Sequence, residues 1–249
     1  MIPYFQSISF NIGPIPIQVW GLMVSLGIIA ALIVIYFLAK KQGLEYKKIP
    51  DMGFWIVLMA LIGGRVFYIL GDFNYFFQNP LDVFKVWEGG MSISGGFVFA
   101  TITGWLYCRI NKLKFLDYVN VCLFGLPLGL GIGRLGCFFV FDHPGKATNF
   151  FLGEKYIDGI VRHNHGLYLS IEGFILFIVF LLIYCWGRSR SASTPYLYAI
   201  IFLIGDGLTR FILDFYRIND PLFWGLTIAQ YLAVLMVIGG IILAVKRKS

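Results

Sequence analysis

Seven long apolar stretches constrain the fold of this chain more than any other feature of its sequence. Each is close to the ~20 residues that a helix needs to cross the hydrocarbon core of a bilayer. Backbone polar groups find no water inside a membrane, so such segments must fold as helices. The sequence therefore predicts an all-α integral membrane protein of about seven transmembrane helices, with residues 1–249 forming a single polytopic domain. The stretches are residues 18–38, 52–71, 91–108, 118–138, 168–187, 196–213 and 224–245.

The distribution of Lys and Arg predicts how these helices are oriented. Twelve of the 20 basic residues lie in the loops after the first, third and fifth stretches or at the C-terminus, and five lie in the opposite loops. Because cytoplasmic loops carry the excess of basic residues, we expect the N-terminus outside and the C-terminus in the cytoplasm. The net charge of +7 is mostly this bias. Since the basic residues are dispersed, they do not indicate nucleic-acid binding.

Polar residues are concentrated on the predicted outer side of the membrane. Residues 72–90 are aromatic and amphipathic, so we expect them to lie along the outer interface. Residues 141–167 carry all three histidines and several charges, and we expect them to form a small cap on the outer face. The four cysteines lie within or beside the apolar stretches without CxxC spacing, which indicates neither a disulfide framework nor a metal site.

Arg134 is a permanently charged residue inside the fourth apolar stretch, in the run Gly131-Ile132-Gly133-Arg134-Leu135-Gly136-Cys137. Its burial in a bilayer costs from about 3 to more than about 10 kcal/mol. The glycines leave room for a lipid headgroup or another backbone, and a guanidinium offers a planar fork of donors suited to phosphate. The alternative is a structural pair with an acidic side chain. Arg65, after Gly63 and Gly64, is open to both interpretations.

Arg210 lies in a charged stripe of the sixth apolar stretch. Asp206, Arg210, Asp214 and Arg217 are spaced so that one helix face presents all four. In lipid, that face must turn towards a polar cavity or the interior of the bundle. The stripe therefore predicts an anion site, and the alternative is an intrahelical ladder of ion pairs at the membrane edge.

Two further constellations are candidates for the site. In the run from Gly89 to Gly96, glycine pairs flank two serines, which favours a helix start whose N–H groups face a ligand near Ser94, Gly95 and Gly96. Small-residue helix packing is the alternative. The histidines are suited to proton transfer near neutral pH, although a loop or capping role is open for each: His143, which follows Asp142, His163 and His165. No HExxH or other zinc-ligand spacing accompanies them.

Taken in order, these segments resemble the prolipoprotein diacylglyceryl transferase family over nearly the whole chain. The matching segments run from the N-terminal entry, through both glycine–arginine motifs, to the last apolar stretch. They are Ile15 to Met23, Gly63 to Tyr68, Trp87 to Ser92, Gly133 to Phe138, Arg162-His163, Leu167-Tyr168, Glu172-Gly173, Arg210 to Arg217 and Gly225 to Gln230.

The resemblance implies a seven-helix membrane enzyme with its N-terminus outside. It implies transfer of the diacylglyceryl group of phosphatidylglycerol to the lipobox cysteine of a preprolipoprotein, forming a thioether and releasing glycerol phosphate. The reaction would take place among the lipids of the bacterial cytoplasmic (inner) membrane, at its outer face, without a metal or organic cofactor. From the residues themselves we expect Arg134 and Arg210 to clamp the lipid phosphate together with Arg65. Either His143, His163 or His165 activates the thiol with Asp142 as the orienting acid, or the positive field of the arginines lowers the thiol pKa without a dedicated base.

Several positions depart from the family pattern. Ser94 stands where a His is common, Cys137 replaces an Asn, Asp142 is a shortened acid, Asp206 replaces a Tyr and Asp214 replaces a Glu. The chain therefore resembles a divergent branch of the family. A lipid or small-anion transporter is an alternative because it would also use intramembrane arginines. A family member that binds lipid or prolipoprotein without chemistry is another.

Overall fold

In a computed structural model, the chain is described over residues 1–85, 90–141, 144–186, 196–218 and 222–246. It divides into two compact units, one of Met1–Leu38 with Val119–Ser249 and the other of Ala39–Tyr118. The helices are α1 (Val19–Lys41), α2 (Ile49–Gly71), α3 (Phe73–Gln78), α4 (Ile93–Ile110), α5 (Phe115–Val140), α6 (His165–Cys185), α7 (Leu197–Asp214) and α8 (Ile228–Lys246). The strands are β1 (Ser9–Ile12), β2 (Ile15–Gln18), β3 (Pro144–Ala147), β4 (Glu154–Lys155) and β5 (Val161–Asn164).

Five helical segments among the described residues are long and apolar enough to cross a membrane. Their outward faces expose large apolar side chains, including Ile29 on α1 and Leu235 on α8, as expected where a helix contacts lipid. The chain is therefore a mainly helical, multi-pass membrane protein, which confirms the predicted fold class at this level. The five segments are Val19–Lys41, Tyr46–Gly71, Phe115–Val140, His165–Cys185 and Ile228–Val245.

The third and sixth predicted spans are helices too, but they are less apolar. α4 and α7 have 18 residues each. In the first turn of α4, Ile93 is followed by a serine and two glycines, and α7 carries Asp206, Arg210 and Asp214. The total of seven spans and the orientation of the chain therefore stay predictions.

Glycines let α5 pack closely against α1 and α6. A Cβ atom at Gly173 of α6 would lie 2.7 Å from the carbonyl oxygen of Pro127 and 2.8 Å from the amide nitrogen of Gly131. On the α1 side, Gly27 faces the carbonyl oxygen of Gly129. Small residues allow such backbone approach in membranes, so part of the glycine density around Arg134 serves helix packing.

At the start of α8, Thr227 and Gln230 form a reciprocal cap. The Thr227 amide donates to Gln230 Oε1 at 3.0 Å, and the Gln230 amide donates to Thr227 Oγ1 at 3.1 Å. The Thr227 hydroxyl donates to Asp214, and Arg217 donates to the same carboxylate at 3.3 Å. Hence Asp214 and Arg217, half of the charged stripe, tie the end of α7 to the start of α8.

The segment predicted to form a cap contains a small sheet. β5 lies between β3 and β4 and pairs with both in an antiparallel manner. The chain start extends this sheet, because the Ile2 amide donates to the Gly153 carbonyl at 2.9 Å. β1 and β2 form a separate antiparallel hairpin directly before α1. These short strands are the part of the fold that the apolar pattern did not predict.

In the Ala39–Tyr118 unit, α2 packs against α4. A Cβ atom at Gly63 would lie 2.6 Å from the Gly95 carbonyl oxygen, so the two helices touch through their backbones. At the opposite end of the pair, Tyr107 donates to Asp51 at 2.6 Å, and Lys48 donates to Asn111 at 2.8 Å. The pair is thus fastened at both ends.

Candidate active site

Arg134 lies on α5 between two close contacts with α6. On one side, the Ser170 hydroxyl donates to the Gly131 carbonyl at 2.7 Å. On the other, Gly166 packs so tightly that a Cβ atom there would lie 2.9 Å from Cys137 Cβ. Arg134 Nη1 lies 3.9 Å from Cys137 Sγ, a weak acceptor. The position of Arg134 is therefore set by the packing of α5 against α6, because its contact with Cys137 is weak.

Arg210 on α7 belongs to the same site. It donates from Nε to Asp206 Oδ2 at 2.6 Å, and the Asp206 side chain is only 4% exposed. Arg210 and Asp206 are both electrostatic neighbours of Arg134. The structure thus brings together the two arginines that the sequence selected independently, and Asp206 holds one of them in place.

Glu172 on α6 is a further site residue, which the sequence presents only as part of the Glu172-Gly173 motif. Its electrostatic neighbours are Asp206, Arg210 and Arg134. Its Oε1 is buried and has no hydrogen-bond partner among the described residues. Two guanidinium groups and two carboxyl groups therefore share this site, with formal charges that sum to zero. An acidic residue inside an apolar stretch was the signal available in the sequence.

His163 lies at the end of β5, just before α6. Its Nδ1 and the Tyr168 hydroxyl are joined by a hydrogen bond of 2.9 Å, and its ring centroid lies 4.8 Å from that of Tyr216. Burial lowers the pKa of His163 below its ordinary value. A neutral imidazole at pH 7 is competent to accept a proton. Because Tyr168 lies one turn before Glu172, His163 stands at the end of α6 that leads into the charged site.

The other predicted proton carriers have different positions. His165 is the first residue of α6 and is buried, with 4% exposed. Asn164 caps this helix by accepting from the Leu167 amide at 3.0 Å. Asp142 and His143 lie outside the described residues.

Arg65 lies in the other unit, where its donors reach backbone carbonyl groups. Its guanidinium donates to the carbonyls of Asp82 at 2.5 Å, of Val83 at 3.0 Å and of Gly90 at 3.0 Å. It also lies over the rings of Tyr68 and Phe76, about 5.6 Å from each centroid. Arg65 therefore ties α2 to residues 82–83 and to Gly90.

The start of α4 is formed by the predicted glycine–serine run. Ser92 caps the helix, with Oγ accepting from the Gly95 amide at 3.5 Å, and its own amide donates to the Gly64 carbonyl at 2.9 Å. Ser94 and Gly96 lie in the first turn of α4, and the side chain of Ser94 is outside the described part of the chain. This geometry supports the small-residue packing that the sequence left open, at least for Gly95 against Gly63.

The family model for prolipoprotein diacylglyceryl transferase (LGT) matches residues 7–246. The chain belongs to this family. A phosphatidylglycerol–prolipoprotein diacylglyceryl transferase of Legionella pneumophila (strain Corby) is 35% identical over 250 residues, which cover 96% of each chain. The protein of that name from Finegoldia magna is 28% identical over 97% of this chain and 96% of its own. The one from Burkholderia cenocepacia (strain HI2424) is 33% identical over 98% and 95%.

The family resemblance read from the motifs is thereby confirmed. Within this member of the prolipoprotein diacylglyceryl transferase family, the structure brings Arg134, Arg210 and Asp206 together and adds Glu172. Two of the departures from the family pattern fall in this site. Asp206 forms the ion pair with Arg210, and Cys137 contacts Arg134.

Proposed function

We propose that this protein transfers the diacylglyceryl group of phosphatidylglycerol to the lipobox cysteine of preprolipoproteins, forming a thioether and releasing glycerol phosphate. The observation that carries the proposal is the meeting of Arg134 and Arg210 among helices α5, α6 and α7. Two neighbouring guanidinium groups offer charge-assisted donors that suit phosphate, and the bilayer supplies phosphate in its lipid headgroups. The names of the relatives support the same substrates.

In the proposed reaction, Arg134 and Arg210 hold the phosphate of one lipid. Guanidinium groups bind phosphate oxygens through short, charge-assisted hydrogen bonds. Such a clamp fixes the glycerol carbon for attack by the acceptor sulfur. It also stabilises the negative charge that develops on the departing phosphate. The Asp206 carboxylate keeps the Arg210 guanidinium oriented between turnovers.

The acceptor thiol must lose its proton before its sulfur can attack. His163 is the best supported base, because burial lowers its pKa and Tyr168 orients its ring. His143, with Asp142 as its orienting acid, stays a second candidate, and His165 a third. A thiol entering the positive field of the arginines would also ionise more readily.

The proposed topology has seven spans, with α4 and α7 crossing the bacterial cytoplasmic (inner) membrane beside α2 and α8. The N-terminus and the cap of residues 141–167 would lie outside, and the active site would open towards the outer face. The excess of basic residues in alternate loops supports this orientation. Substrates would then meet at the outer leaflet, where phosphatidylglycerol and the lipobox are both present.

The predicted substrate contacts of Arg65, Ser94, Gly95 and Gly96 stay part of the proposal, but with an indirect role for Arg65. Arg65 orders the connection that leads into α4 through its bonds to the carbonyls of Asp82, Val83 and Gly90. The Gly95 and Gly96 amides donate to Ser92, so at the start of α4 the backbone N–H of Ser94 would face the substrate.

The experiment that tests the function is a product assay. Purified protein is mixed with phosphatidylglycerol vesicles and a lipobox peptide, and the products are analysed by mass spectrometry. We expect a peptide heavier by one diacylglyceryl group, together with released glycerol phosphate. A folded preparation that gives no adduct would contradict the proposal, as would transport of lipid or anions into vesicles without a covalent product.

A further inference from the structure

Glu172 is a buried carboxyl group that the phosphate clamp does not use. Its Oε1 is buried without a hydrogen-bond partner among the described residues. A carboxylate oxygen in that state costs several kcal/mol of desolvation, whereas a carboxylic acid costs much less. The groups that face Glu172 are Arg134 from α5 and Asp206 and Arg210 from α7. The surroundings of Glu172 therefore hold both the substrate-binding cations and a competing carboxylate.

The charges at this site change when a lipid enters. Arg210 already has a close partner in Asp206, at 2.6 Å. Arg134 lies 3.9 Å from the sulfur of Cys137, a weak acceptor, so the charges of both arginines act on Glu172. A phosphodiester monoanion bound to both arginines would give three anions against two cations. Uptake of one proton restores the balance, and Glu172 is the carboxyl group with an oxygen available to carry it.

We propose that Glu172 is the catalytic acid of the reaction and protonates the phosphate oxygen that leaves the glycerol carbon. This role rests on the proposed transferase function. As the acceptor sulfur forms its bond to the glycerol carbon, the carbon–oxygen bond breaks and its electron pair goes to the phosphate oxygen. The Glu172 proton moves onto that oxygen, so glycerol phosphate leaves as a monoanion. Glu172 becomes a carboxylate whose negative charge the two arginines stabilise until the next lipid binds.

The protons balance over one turnover. The acceptor thiol gives its proton to the base at the cap end of the site. Glu172 takes up one proton when the next phosphatidylglycerol binds. The net reaction exchanges the thiol proton for the bond to the diacylglyceryl group, and no oxidant, reductant or further reactant is needed.

Glu172→Gln is the direct test, because glutamine imitates the protonated acid in size and charge but has no proton to give. We expect kcat to fall by about 10² or more, the usual contribution of a general acid. KM for phosphatidylglycerol in vesicles should stay the same or decrease, since the competing negative charge is gone. The alkaline limb of the kcat–pH profile, which reports loss of the acid proton, should disappear.

Glu154→Gln is the matched control. Glu154 also has a buried, unpartnered Oε1 among the described residues, but it lies on β4 of the cap, where Asn164 donates to its other oxygen. We expect this variant to keep the kcat and the alkaline limb of the parent protein. If Glu172→Gln does not fold, Glu172→Asp should retain the alkaline limb at a reduced kcat.

The outcomes separate this inference from the proposed function. If the parent protein makes product and Arg134→Ala does not, a Glu172→Gln variant with unchanged kcat overturns the role of Glu172 alone. A raised KM with unchanged kcat also overturns it, because Glu172 would then act in binding. If the parent protein itself makes no product, the proposed function fails.

Discussion

At the scale of single residues, the charged side chains differ in how fully their hydrogen-bonding groups are occupied. Asp206 accepts from Nε of Arg210 and leaves the other donors of that guanidinium for a ligand. Arg134 contacts the weak acceptor Cys137 Sγ, and Glu172 Oε1 is buried without a hydrogen-bond partner among the described residues. Arg65 has the opposite character, since three backbone carbonyls lie within 3.0 Å of its donors. Both arginines follow glycines in the sequence, but Arg65 binds backbone carbonyls, whereas Arg134 lies among other charged side chains.

His163 gives a prediction for pH dependence. Because burial lowers its pKa, a neutral imidazole persists to lower pH than in a free histidine. We expect kcat/KM to fall on the acid side at a lower pH than an ordinary histidine would give. His163→Ala should lower kcat/KM by about 10² to 10⁴ and remove this acid limb. Steady-state rates from pH 5 to 8 measure both, and an unchanged acid limb would exclude His163 as the base.

Glu154 gives a prediction for stability. Burial raises its pKa to about 7, above its ordinary value of 4.5, so the folded protein binds a proton that the unfolded chain releases. The contribution of Glu154 to stability is therefore full below pH 4.5 and is lost as the pH rises through 7. Thermal unfolding of the detergent-solubilised protein should show a Tm that decreases between pH 5 and 8. Glu154→Gln should flatten this decrease, and an equal slope in both proteins would contradict the assignment.

At the scale of secondary-structure elements, α5 and α6 position the site by direct backbone contact. Gly173, next to Glu172 on α6, lies against Pro127 and Gly131 on α5. Gly131 is in turn three residues before Arg134. The spacing of these helices therefore sets the distance between the carboxyl group and the guanidinium.

Gly173→Ala should separate the two helices. Its Cβ would meet backbone atoms at 2.7–2.9 Å, which cannot move aside as a flexible side chain does. We expect a loss of about 1–3 kcal/mol in stability, together with a lower kcat. Gly239→Ala on α8, where a Cβ would have nothing within 4 Å, is the control and should be neutral or slightly stabilising. Thermal unfolding and product formation measure both variants. Equal Tm and equal kcat in the two variants would show that the Gly173 contact does not set the geometry of the site.

At the scale of the whole molecule, the predicted topology makes a labelling experiment possible. Ile157 in the cap is 84% exposed, and Lys47 is exposed in the loop between α1 and α2. In a background where the exposed Cys185 is replaced by Ser, Ile157→Cys should react with a membrane-impermeant maleimide added to intact spheroplasts. Lys47→Cys should react only after the membrane is opened. The reverse pattern would contradict the proposed orientation.

Much of this molecule could be predicted from its sequence, because membrane helices are encoded by long apolar runs. Arg134 and Arg210 could be selected as well, since charge inside such runs is rare. Glu172 was harder to find, because a single acid near a helix start reads as an ordinary polar residue until its neighbours are known. The β4 and β5 strands, two and four residues long, show no period to detect. The carbonyl contacts of Arg65 depend on loop conformation, which residue patterns do not specify.

The central claim is that Arg134 and Arg210 act as one clamp on the lipid phosphate. Its most direct test is the initial rate of diacylglyceryl transfer for Arg134→Ala, Arg210→Ala and the double variant, with Arg109→Ala, at the far end of α4, as the control. Residues that act as a unit show non-additive losses. We predict that each single change in the clamp lowers the rate by about 10³ or more, and that the double variant is scarcely slower than either. Near-normal turnover by a folded single variant, or losses that multiply in the double variant, would contradict the account.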